Sequence, residues 1–175
     1  MRHIISVLLE NESGSLSRVS GLFSARGYNI ESLTVAPTND ETLSRMTIVT
    51  NGDDRKIDQI EKQLFKLVDV AALQDITVNQ HLEREVVLVK VSIGSENGDQ
   101  QSAKEELDRV ADAFNASLID VSDQVFILEL AGSSQKVDEL LKALANLQII
   151  EVARSGATGL TSSEKPLTVP PTSAG

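Results

Sequence analysis

Between Asn11 and Leu16 the chain reads Asn-Glu-Ser-Gly-Ser-Leu, a polar turn between an apolar run and an amphipathic segment. The run Ile4, Ile5, Val7, Leu8 and Leu9 has the character of a buried strand. A helix that starts directly after such a turn presents unpaired backbone N–H groups, a ready site for a small anion such as a carboxylate. Asn11 and Asn29 add amide donors and acceptors. Gly14 permits close approach to the backbone, and Ser13 or Ser15 is the expected N-cap. This chemistry binds a small acid; it does not transform one. The other chemistry-bearing groups have ordinary readings. Asp53-Asp54 and Glu105-Glu106 are read as acids at helix starts, favoured by the macrodipole. His3 and His81 lack companions at metal-ligand spacing. The loop Gly94–Gly98 lacks the Lys-Ser/Thr ending of a phosphate loop.

The elements that must position the turn read as one pattern repeated. In the first half a strand covers about Arg2–Glu10. A helix follows with Leu16, Val19, Leu22 and Phe23 on one face, and Gly27 stops it. Strands come next near Tyr28–Pro37 and Leu43–Asn51. Ile57, Ile60, Leu64 and Leu67 then mark a second helix, and a last strand ends at Asn79. The second half repeats the order. A strand at Val86–Ile93 leads to a helix with Ala103, Leu107, Val110, Ala111 and Phe114 inward. Strands at Leu118–Val121 and Val125–Leu130 follow, then a helix through Val137, Leu140, Leu141 and Leu144, and a strand at Ile149–Val152. Two βαββαβ units give an α+β chain of two ferredoxin-like domains, each with both helices on one sheet face. The first strand is apolar on both faces, so both must be covered. A unit this small cannot do that alone, which predicts oligomerisation. His81–Glu85 is the expected linker, and the Ser/Thr/Pro-rich residues 161–175 are expected to be a flexible tail. The expected domains are therefore 1–79 and 83–160.

Composition narrows the function. A formal charge of −10 argues against nucleic acid or a membrane surface as partner. The absence of cysteine excludes disulfides and thiolate chemistry. The N-terminus lacks the plan of a secretory signal and no segment approaches a bilayer span, so a cytoplasmic protein is expected.

Longer blocks carry a resemblance. Met1–Gly14, Gly21–Val35 and Thr42–Val49 are similar to the small regulatory subunits of acetohydroxyacid synthase, also called acetolactate synthase. Glu83-Arg84-Glu85, Leu88–Val91, Ile119–Val121 and Ile150–Gly156 extend the similarity to about Leu160. Where the family often reads Phe-Arg-Gly, this chain has Phe114-Asn115-Ala116-Ser117. The resemblance implies an N-terminal ACT domain, an amino-acid sensor, followed by a second ferredoxin-like domain. It implies a homodimer that joins a separate catalytic large subunit using thiamine diphosphate, Mg²⁺ and FAD, with no cofactor or metal in this chain. It further implies that the chain is not itself an enzyme. It activates the catalytic subunit and confers feedback inhibition by valine in branched-chain amino-acid (valine, leucine and isoleucine) biosynthesis. The implied effector site lies at the ACT dimer interface and comprises Asn11, Gly14, Ser15, Leu16, Asn29, Ile30, Val35 and Ala36. The alternative is an ACT-domain transcriptional regulator, disfavoured by the acidic charge and the lack of a basic arm. A stand-alone enzyme is disfavoured by the lack of a nucleophile–base pair.

Overall fold

The computed structural model describes residues 1–94 and 100–170. The chain forms two compact units: Met1–Leu82 together with the residues from Ala157 onward, and Glu83–Gly156.

In the first unit β1 (Arg2–Glu10), α1 (Ser15–Ala25), β2 (Ser32–Pro37), β3 (Leu43–Asn51), α2 (Asp54–Leu64) and β4 (Val70–Asp75) follow in turn. The antiparallel sheet has the order β2-β3-β1-β4. Strand alternation sends Ile5, Val7 and Leu9 to the helix face, where they join Val19, Phe23, Ile57, Ile60 and Leu64 in a buried core. Leu16 does not share this face; it is 45% exposed. Gly27, at φ 66°, ends α1 as expected. Its N–H donates to the Ser24 carbonyl, and the Tyr28 N–H donates to that of Phe23, the paired closure of a Schellman motif. That closure consumes the residues after Gly27, so β2 begins at Ser32 rather than near Tyr28. Asp53 caps α2 by accepting from the Lys56 N–H at 2.8 Å. Leu67 lies past the end of that helix but still packs on the core. β4 stops at Asp75, before Asn79, because the Asp75 carboxylate accepts the Thr77 N–H and turns the chain.

The other sheet face is covered by the chain's own C-terminal segment. Ile4, Ser6 and Leu8 of β1 point to it, and all three are buried within this one chain. Ile4, Val49 and Ile76 form a small core with Ala157. An additional strand, β9 (Thr158–Thr161), lies there beside the start of β5 (His81–Ser92), and Ser162 donates its N–H to the Gln80 carbonyl at 2.8 Å. A Cβ on Gly159 would stand 2.7 Å from Ile76 Cδ1, so any larger residue here would have to displace the end of the buried Ile76 side chain. Residues 157–170 therefore belong with the N-terminal unit, not with a domain ending at 160 or a free tail beginning at 161. Residues 163–169 carry no regular structure but line cavities against the sheet; residues 171–175 lie outside the described residues. The presumed linker His81–Glu85 is strand, the first five residues of β5.

The second unit contains the rest of β5, then α3 (Gln100–Phe114), β6 (Ser117–Ser122), β7 (Val125–Gly132), α4 (Ser134–Ala143) and β8 (Gln148–Arg154). Its strand order is β6-β7-β5-β8, the same as in the first unit. Val87, Val89 and Val91 meet Leu107, Val110, Leu128, Val137 and Leu140 in its core. Glu105 and Glu106 sit mid-helix rather than at a helix start; Glu105 accepts from Gln101 and Glu106 pairs with Arg109. Most of the loop Gly94–Gly98 falls outside the described residues. Asn115 holds φ 51° and closes α3 through Ala116 N–H to the Ala111 carbonyl, the left-handed geometry that asparagine tolerates best after glycine. Glu85 is buried, and Arg154 binds both its carboxylate oxygens and also reaches Asp138. On this unit's outer face Val86, Leu88 and Ile119 are each more than 40% exposed.

Candidate functional site

The Asn11–Leu16 turn is built by β1 stopping at Glu10 and α1 starting at Ser15. Gly14, not a serine, is the N-cap; it adopts φ 93°, and no side chain caps the helix. The first-turn N–H groups have no intrahelical acceptor by construction; the Ser15 N–H donates back to the Glu12 carbonyl at 3.3 Å, and the open cap leaves those of Leu16 and Ser17 available to a ligand. Ser15 is the first helical residue. It is buried, and its Oγ has no hydrogen-bond partner among the described residues. Asn11 is already engaged: its Nδ2 donates to the Glu41 carbonyl at 3.0 Å, and its Oδ1 accepts from Ser44 Oγ at 3.1 Å.

A cation stands beside the turn. A Cβ on Gly14 would lie 3.0 Å from Arg18 Nη1. Arg18 pairs with Asp69 through Nε and Nη2, the latter at 2.8 Å. The Asp69 carboxyl is held below its ordinary range by the Arg18 hydrogen bond, and Arg18 is raised by the same bond. The turn thus sets helix-end N–H groups, which favour a carboxylate, beside the Nη1 edge of a guanidinium whose charge Asp69 already balances. The sequence reading missed Arg18; its position four residues after Gly14 on a helix was the available signal, since that spacing returns a side chain to the same face.

The remaining residues do not converge on the turn within one chain. Asn11 lies at the start of β3, held to Ser44. Asn29 lies at its other end, where its carbonyl accepts from Thr50 Oγ1 at 2.6 Å, and Ile30 adjoins it. Six residues of extended strand separate Ser44 from Thr50, about 20 Å. Asn29 therefore does not meet the first turn across the sheet end within one chain. A seam between two copies is the arrangement that could bring them together. Val35 pairs with Met46 and Ala36 with Arg45 on the edge strand β2. Strand alternation puts Val35 on the helix face and Ala36 on the outer face. Ala36 lines an outer-face cavity with Leu8 and Arg45.

The family described as the AHAS small subunit-like ACT domain matches residues 5–72. The family described as the small subunit of acetolactate synthase matches residues 84–163. The acetolactate synthase isozyme 3 small subunit of Salmonella typhimurium is 52% identical over 166 residues, which is 94% of this chain and 98% of that protein. The chain belongs to the acetolactate synthase small-subunit family. The small subunit from Haemophilus influenzae is 49% identical over 94% of this chain and 98% of its own length. The crystal structure of the small subunit from Thermotoga maritima superposes with a TM-score of 0.81 at 34% identity, covering 94% of this chain and 99% of that one. The two ferredoxin-like units, the first an ACT domain, are therefore those of the family. Among the described residues no group of three or more acidic, histidine or cysteine side chains could hold a metal, and no helix is long and apolar enough to cross a membrane.

Proposed function

We propose that this chain is the regulatory subunit of an acetolactate synthase, which raises the activity of a catalytic large subunit and makes it sensitive to valine. The observation that carries the reading is the uncapped N-terminus of α1 at Gly14, with Ser15 Oγ unsatisfied and Arg18 alongside. It offers hydrogen-bond donors to a small carboxylate, from the helix end and from the Nη1 edge of Arg18, and no group suited to catalysis. In a homodimer with two-fold symmetry, Asn11, Gly14, Ser15 and Leu16 of one copy face Asn29 and Ile30 of the other. Valine sits between them, its carboxylate on the α1 turn and its side chain toward the edge strand at Val35 or Ala36. The exposed apolar face of the second unit, at Val86, Leu88 and Ile119, supports an assembly with further protein surface. Thiamine diphosphate, Mg²⁺ and FAD belong to the catalytic partner, and both subunits act in the cytoplasm.

The test is valine titration by calorimetry. The wild type should bind saturably. Gly14→Asp should not, because its carboxylate would occupy the turn beside Arg18 and repel the ligand. Equal valine binding by a folded Gly14→Asp variant would move the site elsewhere.

A further inference from the structure

The outer face of the first sheet holds a charge that no acid among the described residues pairs with. Arg45 lies mid-row on this face, paired across the strands with Leu8 on one side and Ala36 on the other. It is half-buried. Its Nη1 donates to Ser6 Oγ at 2.8 Å, and no carboxylate among the described residues lies within ion-pair distance of it. Burial pushes the guanidinium below its ordinary value, with nothing to offset it. An arginine so placed leaves desolvated donors seeking an anion.

The space beside it is sized for one. Arg45 lines a cavity of about 500 Å³ with Leu8, Ala36, Leu43, Leu167 and Val169, within the range of small-molecule sites. Two of these walls come from the C-terminal segment, so the pocket exists only because residues beyond 157 return to this sheet. The lining is mixed: these aliphatic side chains share it with Thr34, Thr38, Asn39 and Thr168, and Arg45 is its one cation. Asp40 is also on the wall, with its carboxyl held below the ordinary range by hydrogen bonds from Thr42. Glu164 stands with Arg45 on the wall of the neighbouring cavity. These acids oppose a dianion such as phosphate but leave room for a single carboxylate on Arg45.

We infer that the outer face of the first sheet is a second small-ligand site, in which Arg45 binds the carboxylate of a short aliphatic monocarboxylate under the C-terminal segment. This site is separate from the α1 turn and does not depend on the valine reading.

The probe is isobutyrate, with isobutyramide and inorganic phosphate as controls, titrated into the full-length protein and followed by backbone amide NMR. Isobutyrate should shift Ser6, Leu8, Thr34 and Arg45 saturably. Isobutyramide and phosphate should bind at least about tenfold more weakly, the loss expected when a charge-assisted hydrogen bond is removed or opposed. Arg45→Gln should weaken isobutyrate by a similar factor, whereas Arg45→Lys, which keeps the charge, should retain part of the binding and control for folding. Gly14→Asp should leave these shifts unchanged. Shifts confined to Gly14–Ser17, equal binding of isobutyramide or phosphate, or undiminished binding in Arg45→Gln would each overturn the assignment.

Discussion

Asn11 and Asn29 sit at opposite ends of β3, about 20 Å apart by strand rise, too far for one valine to touch both within one chain. If they serve one effector site, that site is composite, and a mixed dimer reveals it. In a two-fold dimer each of the two sites takes Asn11 from one copy and Asn29 from the other. Asn11→Ala alone and Asn29→Ala alone each damage both sites. In a heterodimer of the two variants, one site carries both changes and the other carries neither. Co-expression with two affinity tags isolates that heterodimer. Calorimetry should then return about half the wild-type valine stoichiometry at wild-type affinity, while each parent homodimer binds at least about tenfold more weakly through loss of a hydrogen-bond partner. Asn11 also ties Glu41 and Ser44 to the turn, so Asn11→Ala loosens the start of β3; Asn11→Asp, which keeps the acceptor for Ser44, controls for that. A heterodimer that binds no better than its parents would refute the composite site.

Further outcomes follow from the packing and the charges. Gly159→Ala should destabilise the protein by about 1–3 kcal/mol through overpacking, because the new Cβ meets Ile76, which Ile4 and Val49 confine; chemical denaturation would measure it. Ending the chain after Gly156 uncovers Ile4, Val49 and Ile76 and should lower stability by about 2–4 kcal/mol, whereas a free tail would have changed nothing. Glu61 accepts the Asp75 N–H at 3.1 Å, and burial first, then Asp75 and Asp58, raise its pKa. A raised carboxyl costs stability only where it is ionised, so Glu61→Gln should raise Tm at pH 7 and lose its advantage as pH falls below about 4.3. Glu85 behaves oppositely: Arg154 lowers its pKa, so its contribution is present above the unfolded value and is lost as pH falls through the folded one. Glu85→Gln should therefore lower Tm at pH 7 and matter little in strong acid.

Much of this architecture was legible in the sequence because periodicity reports faces. Ile5, Val7 and Leu9 against Val19 and Phe23, and Val87, Val89 and Val91 against Leu107 and Leu140, specify strands and helices packed in layers, and the repeat of that order gives the two units. The doubly apolar β1 correctly announced that both sheet faces are covered. The cover itself was not legible. Ala157 and Gly159 are small, with no period, and their value lies in letting a strand approach Ile76, a contact between distant residues. Leu16 was misplaced because a residue in the first turn can satisfy the helical period and still stand outside the core, as its exposure shows. The turn at Gly14 was legible from its residue types. Arg18 was legible only through its spacing of four from Gly14, which tells once the helix start is fixed to one residue, and the separation of Asn11 from Asn29 was not legible, since it needs the strand register.

The most direct test of the central claim is the condensation of pyruvate by the purified catalytic large subunit, with and without this chain, across a valine titration. The account predicts low activity from the large subunit alone, a rise on adding this chain, and loss of that rise as valine is added. It also predicts that Gly14→Asp still activates but no longer responds to valine. Activity unaffected by the chain, or valine inhibition that is equal in its absence, would contradict the account.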